Sequence, residues 1–148
     1  MSTLLIMKKV IVLTSTIFFT FYSFAQKMQD KNVPANLKST FNQKYPEATA
    51  VKWDKEEKMY EASFKLKNID NSVLMDTNGN IVETEVKTDL EKIPKVILTY
   101  VKNKYAAKKP NGAATITDSK GKITYEVEMK GIDLIFDDKG NFIKKVKA

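Results

Sequence analysis

Two stretches of this 148-residue chain repeat one spacing of potential cation ligands, LMDTNGNIVE at residues 74–83 and IFDDKGNFIK at residues 135–144. In each, an Asp is followed three residues later by Gly and then by Asn. Closely spaced oxygens around a glycine are what a calcium loop uses to wrap a hard cation, so Asp76 and Asn78 are weak candidate metal ligands. The remainder of the pattern does not fit. An EF-hand loop needs a carboxylate at its twelfth position; counting from Asp76 places Lys87 there, and counting from Asp137 places Ala148 there. The second copy also puts Lys139 inside the loop, where it repels a cation. Asn-Gly and Lys-Gly between apolar runs are hairpin signals, with Gly supplying a positive φ and Asp bonding its own backbone. The expectation is a turn, with no metal and no cofactor.

Acid–base chemistry is the second possibility. Glu61 and Glu126 occupy matching places in two alternating stretches, and Glu128 follows two residues later. A carboxyl pair works as acid and base only when one member is held at a raised pKa. Here the alternation places all three among lysines on a polar face, so they read as solvated strand residues. Ser39, Ser63, Ser72 and Ser119 have no histidine to activate them, because the chain contains none, and none lies in a G-x-S-x-G elbow. There is no cysteine nucleophile and no glycine-rich phosphate loop. These absences point away from an enzyme.

The elements that position these residues begin with a leader. Lys8-Lys9 precede the apolar stretch VIVLTSTIFFTFYSFA at residues 10–25, which ends in small residues at Ser23 and Ala25. This is the pattern of a secretory signal cleaved after Ala25. At 16 residues with several hydroxyls, the stretch is shorter than the roughly 20 apolar residues of a membrane span. The expectation is a mature domain over 26–148, periplasmic or secreted, with no stable anchor. Lack of cysteine excludes a disulfide framework, so an apolar core must hold the domain. The net charge of +7 is carried by lysine alone, without arginine. Lysines scattered along an exported chain are a solvated surface rather than a nucleic-acid footprint, since Arg is the side chain that grips phosphate and guanine bidentately.

The repetition extends beyond the two decapeptides. Val33-Pro34 recurs as Ile93-Pro94, Leu37 as Ile97, Phe41 as Val101 and Tyr45 as Tyr105, all 60 residues apart. Tyr60-Glu61-Ala62 recurs as Tyr125-Glu126-Val127 at a spacing of 65, and the Asp-x-x-Gly-Asn core at 61. Correspondence in order and register indicates an internal duplication, with repeats at 33–86 and 93–147 and a linker at 87–92. Each repeat opens with a helix whose apolar stripe recurs every four residues behind a proline. The period then changes to two: Tyr60, Ala62, Phe64 and Leu66 oppose Glu61, Ser63 and Lys65, and Ile123, Tyr125, Val127 and Met129 oppose Thr124, Glu126 and Glu128. Each copy reads as a helix followed by a four-stranded antiparallel meander. The two form an α+β domain of about eight strands, with both helices on one face and a shared core. Trp53, Tyr60 and Tyr125 fall where strand alternation puts core. For Trp53 the flanking Lys52 and Asp54, and the Asp118 that answers it at a spacing of 65, suggest a place near an edge, open to a binding role.

Taken together, Val33-Pro34, Phe41, Tyr45-Pro46, Ala48, Val51-x-Trp53, Tyr60-x-Ala62-x-Phe64 and Asp76-x-x-Gly79 with Glu83-Thr84 resemble the PepSY-like proteins. These are small exported proteins of Bacteroidetes whose fold is likened to the beta-lactamase-inhibitor protein. The resemblance covers residues 33–147 and is closer in copy one, since copy two lacks the proline after Tyr105 and has Asp118 for the tryptophan. It implies a non-enzymatic helix-plus-sheet protein that regulates or inhibits a peptidase or other envelope enzyme by binding it through an open, concave sheet face. In this chain that face is drawn from Glu61, Ser63, Lys65, Thr124, Glu126 and Glu128, with Trp53 beside it. The alternative is a periplasmic small-ligand or calcium-responsive sensor.

Overall fold

The computed structural model describes residues 26–147, and the expected leader at 1–25 lies outside them. The chain runs β1 (Gln26–Met28), α1 (Ala35–Lys44), β2 (Thr49–Glu56), β3 (Met59–Leu66), β4 (Ile69–Asp76), β5 (Ile81–Thr88), α2 (Lys95–Lys104), β6 (Pro110–Asp118), β7 (Ile123–Met129), β8 (Ile132–Asp137) and β9 (Phe142–Val146). All nine strands form one antiparallel sheet in chain order. Both helices lie on the same face of this open sheet, and the tandem repeat is plain in the element order.

The additional strand explains how the repeats are joined. β1 precedes α1 and pairs with β2, Met28 opposite Trp53. In the second repeat the same place is taken by β5, where Thr88 lies opposite Ala113. β5 is therefore both the last strand of repeat one and the first of repeat two. It also runs to Thr88, so Lys87 and Thr88 belong to the sheet rather than to the connection.

Each helix begins at its proline, whose carbonyl accepts the first helical bond, from Leu37 N–H at 3.1 Å in α1 and from Ile97 N–H at 3.0 Å in α2. Each ends at a tyrosine whose N–H still donates to the carbonyl four residues back, Tyr45 to Phe41 and Tyr105 to Val101, both at 2.8 Å. Pro46 follows directly in α1. Pro110 opens β6, a position where its missing N–H is tolerated.

The core is not shared. Under α1, Leu37 and Phe41 pack with Trp53, Ala62, Phe64, Val73 and Met75; under α2, Ile97 and Val101 pack with Ala113, Val127, Met129, Leu134 and Phe136. At ~1.5–3 kcal/mol for each fully buried large apolar side chain, either cluster holds its helix down. Between them the helix-side positions of β5 and β6 are Thr84, Val86, Thr115 and Thr117. Thr84 Oγ1 donates to the Thr117 carbonyl at 3.4 Å, and Val86 is exposed. A threonine seam, continuous through hydrogen-bonded strands, divides the two cores.

Candidate functional site

Trp53 belongs to the first core. It is 5% exposed, with its ring 5.5 Å from that of Phe41 in an edge-to-face pair, and Phe64 meets Phe41 at 5.0 Å. It points toward α1 and takes no part in the opposite face. Its structural counterpart is not Asp118 but Ala113, because Trp53 lies opposite Ala62 and Ala113 opposite Val127. The 60-residue spacing persists through β6. Extra residues in the β6–β7 hairpin then advance it to 65. The aromatic trio Phe41, Trp53 and Phe64 is answered by Val101, Ala113 and Met129 in copy two. There the aromatic volume sits farther along, in Tyr100, Phe136 and Phe142.

Asp118 opens a third Asp-x-x-Gly turn that the two decapeptides obscure. In all three, the Asp Oδ1 accepts backbone N–H groups two and four residues on: Asn78 and Asn80 at 2.9 Å for Asp76, Lys139 at 3.0 Å and Asn141 at 2.7 Å for Asp137, and Lys120 at 2.8 Å and Lys122 at 2.9 Å for Asp118. In the first two turns Oδ2 also accepts from the Asn80 or Asn141 amide at 2.8 Å. These donors stabilise the ionised form and hold all three carboxyls below the usual range. Oxygens occupied by N–H donors describe a hairpin turn, and no group of three or more Asp or Glu suited to a metal occurs among the described residues. The repeated glycines have a steric reason as well. Gly79 lies over α1, where Asn36 Nδ2 donates to the Thr77 carbonyl at 3.1 Å. Gly140 sits against Val96 so closely that a Cβ would come within 2.3 Å of its Cγ1.

The opposite sheet face is covered by no element among the described residues. Strand pairing arranges its side chains in rows. One runs Asp54, Glu61, Leu74, Glu83, Asp118; the next runs Lys52, Ser63, Ser72, Glu85, Ile116, Thr124; the third runs Lys87, Ala114, Glu126, Ile135, Lys144; the last pairs Gly112, Glu128 and Asp133. Glu61, Ser63, Lys65, Thr124, Glu126 and Glu128 thus share one face, as strand alternation requires. A groove of about 330 Å³ crosses the repeat-one half, lined by Lys52, Glu61, Ser63, Lys65, Ser72 and Glu85.

The face is not a solvated one. Ala114, Ile116 and Ile135 are buried on it, and so is Thr124, at 5% exposed the one buried polar residue among those described. Around this apolar floor, burial raises Glu83 and Asp133 above the ordinary carboxylate range. It raises Glu85 to about 7, with Glu61, Glu83 and Glu128 adding repulsion, and Glu126 to about 8, with Glu85, Asp133 and Glu128 adding it. Desolvation is the first cause at each. Lys87 opposes it from the middle of the cluster, where its ammonium pairs with Glu128. Gly112 makes room for that pair, since a Cβ there would fall 2.7 Å from Glu128 Oε2. Sequence reasoning placed Glu126 and Glu128 on this face but not Glu85 or Lys87. The alternation of Glu83, Glu85 and Lys87 in IVETEVKT was the signal that marks them.

The model of the family described as "Putative beta-lactamase-inhibitor-like, PepSY-like" matches twice, over residues 23–83 and 76–144. The two matches overlap over residues 76–83, the turn that leads into β5, the strand that serves both repeats. No curated protein matches the chain. Among solved structures, a DUF2874 family protein from Bacteroides uniformis is 19% identical, covering 78% of this chain and 89% of its own, with a TM-score of 0.68. A BLIP-like protein from Bacteroides fragilis is 21% identical over 78% of this chain and 86% of its own, at 0.57. A candidate periplasmic protein from Bacteroides eggerthii is 13% identical over 78% and 88%, at 0.69. At such identities the likeness is one of fold. No helix among the described residues is long and apolar enough to cross a membrane. With both halves of its sheet matched in turn, the chain belongs to the PepSY-like, beta-lactamase-inhibitor-like family.

Proposed function

We propose that this chain is an exported, non-catalytic binding protein whose open sheet face docks another envelope or secreted protein, as a regulator or inhibitor of a peptidase or another envelope enzyme. The observation that carries the reading is the contrast between the two faces. One is sealed by both helices over two dry cores. The other is bare, yet holds an apolar floor, desolvated carboxyls and a groove of about 330 Å³. Burying polar groups without partners costs stability, and a surface that keeps them is suited to a partner that satisfies them. Membership of a family described as inhibitor-like supports the same reading.

The test is affinity capture from envelope and culture-fluid extract of the source organism, comparing the native protein with a Glu61→Lys, Glu126→Lys double variant. Both side chains lie on the bare face, one in each repeat. The variant should fold, as shown by an unchanged circular dichroism spectrum, and lose a partner that the native protein retains. Equal capture by both would remove this face as the docking surface.

A further inference from the structure

We propose that the occupant of the open face is a basic segment of the partner protein, whose lysine or arginine side chain enters between Glu85 and Glu126 and lies on Ala114 and Ile116. This deepens the docking reading above and rests on it. The first support is charge. β5, β7 and β8 bring Glu83, Glu85, Glu126, Glu128 and Asp133 to one region, answered there by Lys87 and by Lys144 at the rim. Lys87 is already engaged with Glu128. Neither Glu85 nor Glu126 makes a hydrogen bond or salt bridge among the described residues. In a chain with 25 lysines and a net charge of +7, five carboxyls set against two ammoniums make this region locally acidic and attractive to a cation.

The second support is independent of the carboxyls. Thr124 is 95% buried, taken from its 5% exposure, and lies on the same face, beside Ile116 and across it from Glu85. Its hydroxyl makes no hydrogen bond among the described residues. A buried hydroxyl left without a partner is unfavourable in the free protein, and a guanidinium or ammonium entering this site supplies the donor it lacks. The apolar floor of Ala114 and Ile116 between the two acids matches the aliphatic stem of such a side chain, which packs on apolar surface while its charged head reaches the acids. A bare metal ion makes no use of that floor.

The charge state provides a readout that general stickiness lacks. Burial pushes Glu126 up to about 8, with Glu85, Asp133 and Glu128 adding repulsion, and Glu85 up to about 7, with Glu61, Glu83 and Glu128 adding it, while Lys87 opposes both. An incoming cation favours the ionised carboxylates, so binding expels protons and tightens as the pH rises.

The experiment measures anisotropy of a fluorescein-labelled peptide of alternating arginine and valine, with the alternating glutamate–valine peptide as control. The arginine peptide should bind, and bind at least about tenfold tighter near pH 9 than near pH 6 as the two carboxyls ionise. Glu126→Gln, Glu85→Gln and Thr124→Val should each keep the fold and weaken binding, the carboxyl variants by about tenfold, the loss of one charge-assisted contact. Equal binding of both peptides, no binding of either, or affinity indifferent to Glu126→Gln overturns the inference. If the partner capture described above succeeds and depends on Glu61 and Glu126 while the basic peptide fails, only the basic-segment inference falls. If capture ignores the face, the docking reading itself falls.

Discussion

Replacing Glu126 with glutamine should make the protein more stable, and only at neutral and alkaline pH. Its carboxyl stands on β7 among Glu85, Asp133 and Glu128, on an apolar floor, and is pushed up to about 8 against an ordinary 4.5. A folded-state pKa above the unfolded one means that the folded protein holds the proton more tightly. The stabilising contribution of the protonated group is complete below about pH 4.5 and disappears as the pH rises through 8. By pH 7 the difference corresponds to ~3 kcal/mol at about 1.4 kcal/mol per pH unit. At full ionisation the difference corresponds to ~5 kcal/mol, and because the side chain is half-buried rather than sealed, solvent screening reduces the expectation to ~2 kcal/mol. Glu85, raised to about 7 by burial and by Glu61, Glu83 and Glu128, adds to the pH slope. Its cost overlaps that of Glu126, which is raised partly by Glu85. Glutamine keeps the shape and cannot ionise. Urea denaturation at about pH 4 and about pH 8.5 should show equal stability for native protein and variant at the lower value. At the higher value the variant should be more stable by ~2 kcal/mol. A native protein whose stability is flat between these values, or a variant destabilised at the higher one, would refute a desolvated Glu126.

Other outcomes follow from the packing. Trp53→Ala should cost ~3–5 kcal/mol, as for a large aromatic removed from a core, because its ring seals the space between Phe41 and Ala62; thermal or urea denaturation measures it. Gly140→Ala should destabilise more than Gly79→Ala. Both glycines have positive φ, but the new methyl meets Val96 at 2.3 Å in the first case and Thr40 Oγ1 at 3.3 Å in the second. Comparing the two melting temperatures decides the order. Asp76→Ala should lower the melting temperature by a few degrees through loss of three hydrogen bonds. Added calcium should shift neither that variant nor the native protein, as differential scanning fluorimetry can show.

The parts of this fold legible in the sequence are those that depend on local period. The stripe of Leu37, Phe41 and Tyr45 marked a helix, and the alternation around Phe64 and Val127 marked strands, because burial on one face imposes 3.6 or 2 directly. Asp-x-x-Gly was readable as a turn because its bonds close within five residues. What was not legible depends on pairing between distant residues. β1 is three residues long and owes its existence to β2, so nothing local announces it. The match of Trp53 to Asp118 failed because spacing alone does not reveal where the extra residues enter. Only the pairing of Ala113 with Val127 places them in the β6–β7 hairpin. The shared core was a guess about size, and the threonines at Thr84, Thr115 and Thr117 that divide it looked like ordinary strand residues. On the open face, alternation assigned Glu61, Ser63, Lys65, Thr124, Glu126 and Glu128 to one side correctly. It could not show that neighbouring strands crowd Glu85 and Glu126 onto a dry floor, because desolvation arises from the whole sheet rather than from the strand that carries the charge.

The central claim is that the bare sheet face meets the partner and the helix face does not. The chain contains no cysteine, so a single introduced thiol can carry a photo-crosslinker at a chosen place. Ser63→Cys and Ser72→Cys put it on the open face, one strand apart, while Ser39→Cys puts it on the exposed side of α1. Each labelled protein is added to envelope extract, illuminated and resolved by mass. The account predicts one common crosslinked partner from Ser63 and Ser72 and none from Ser39. A partner trapped from Ser39, with nothing trapped from either open-face position, would contradict it.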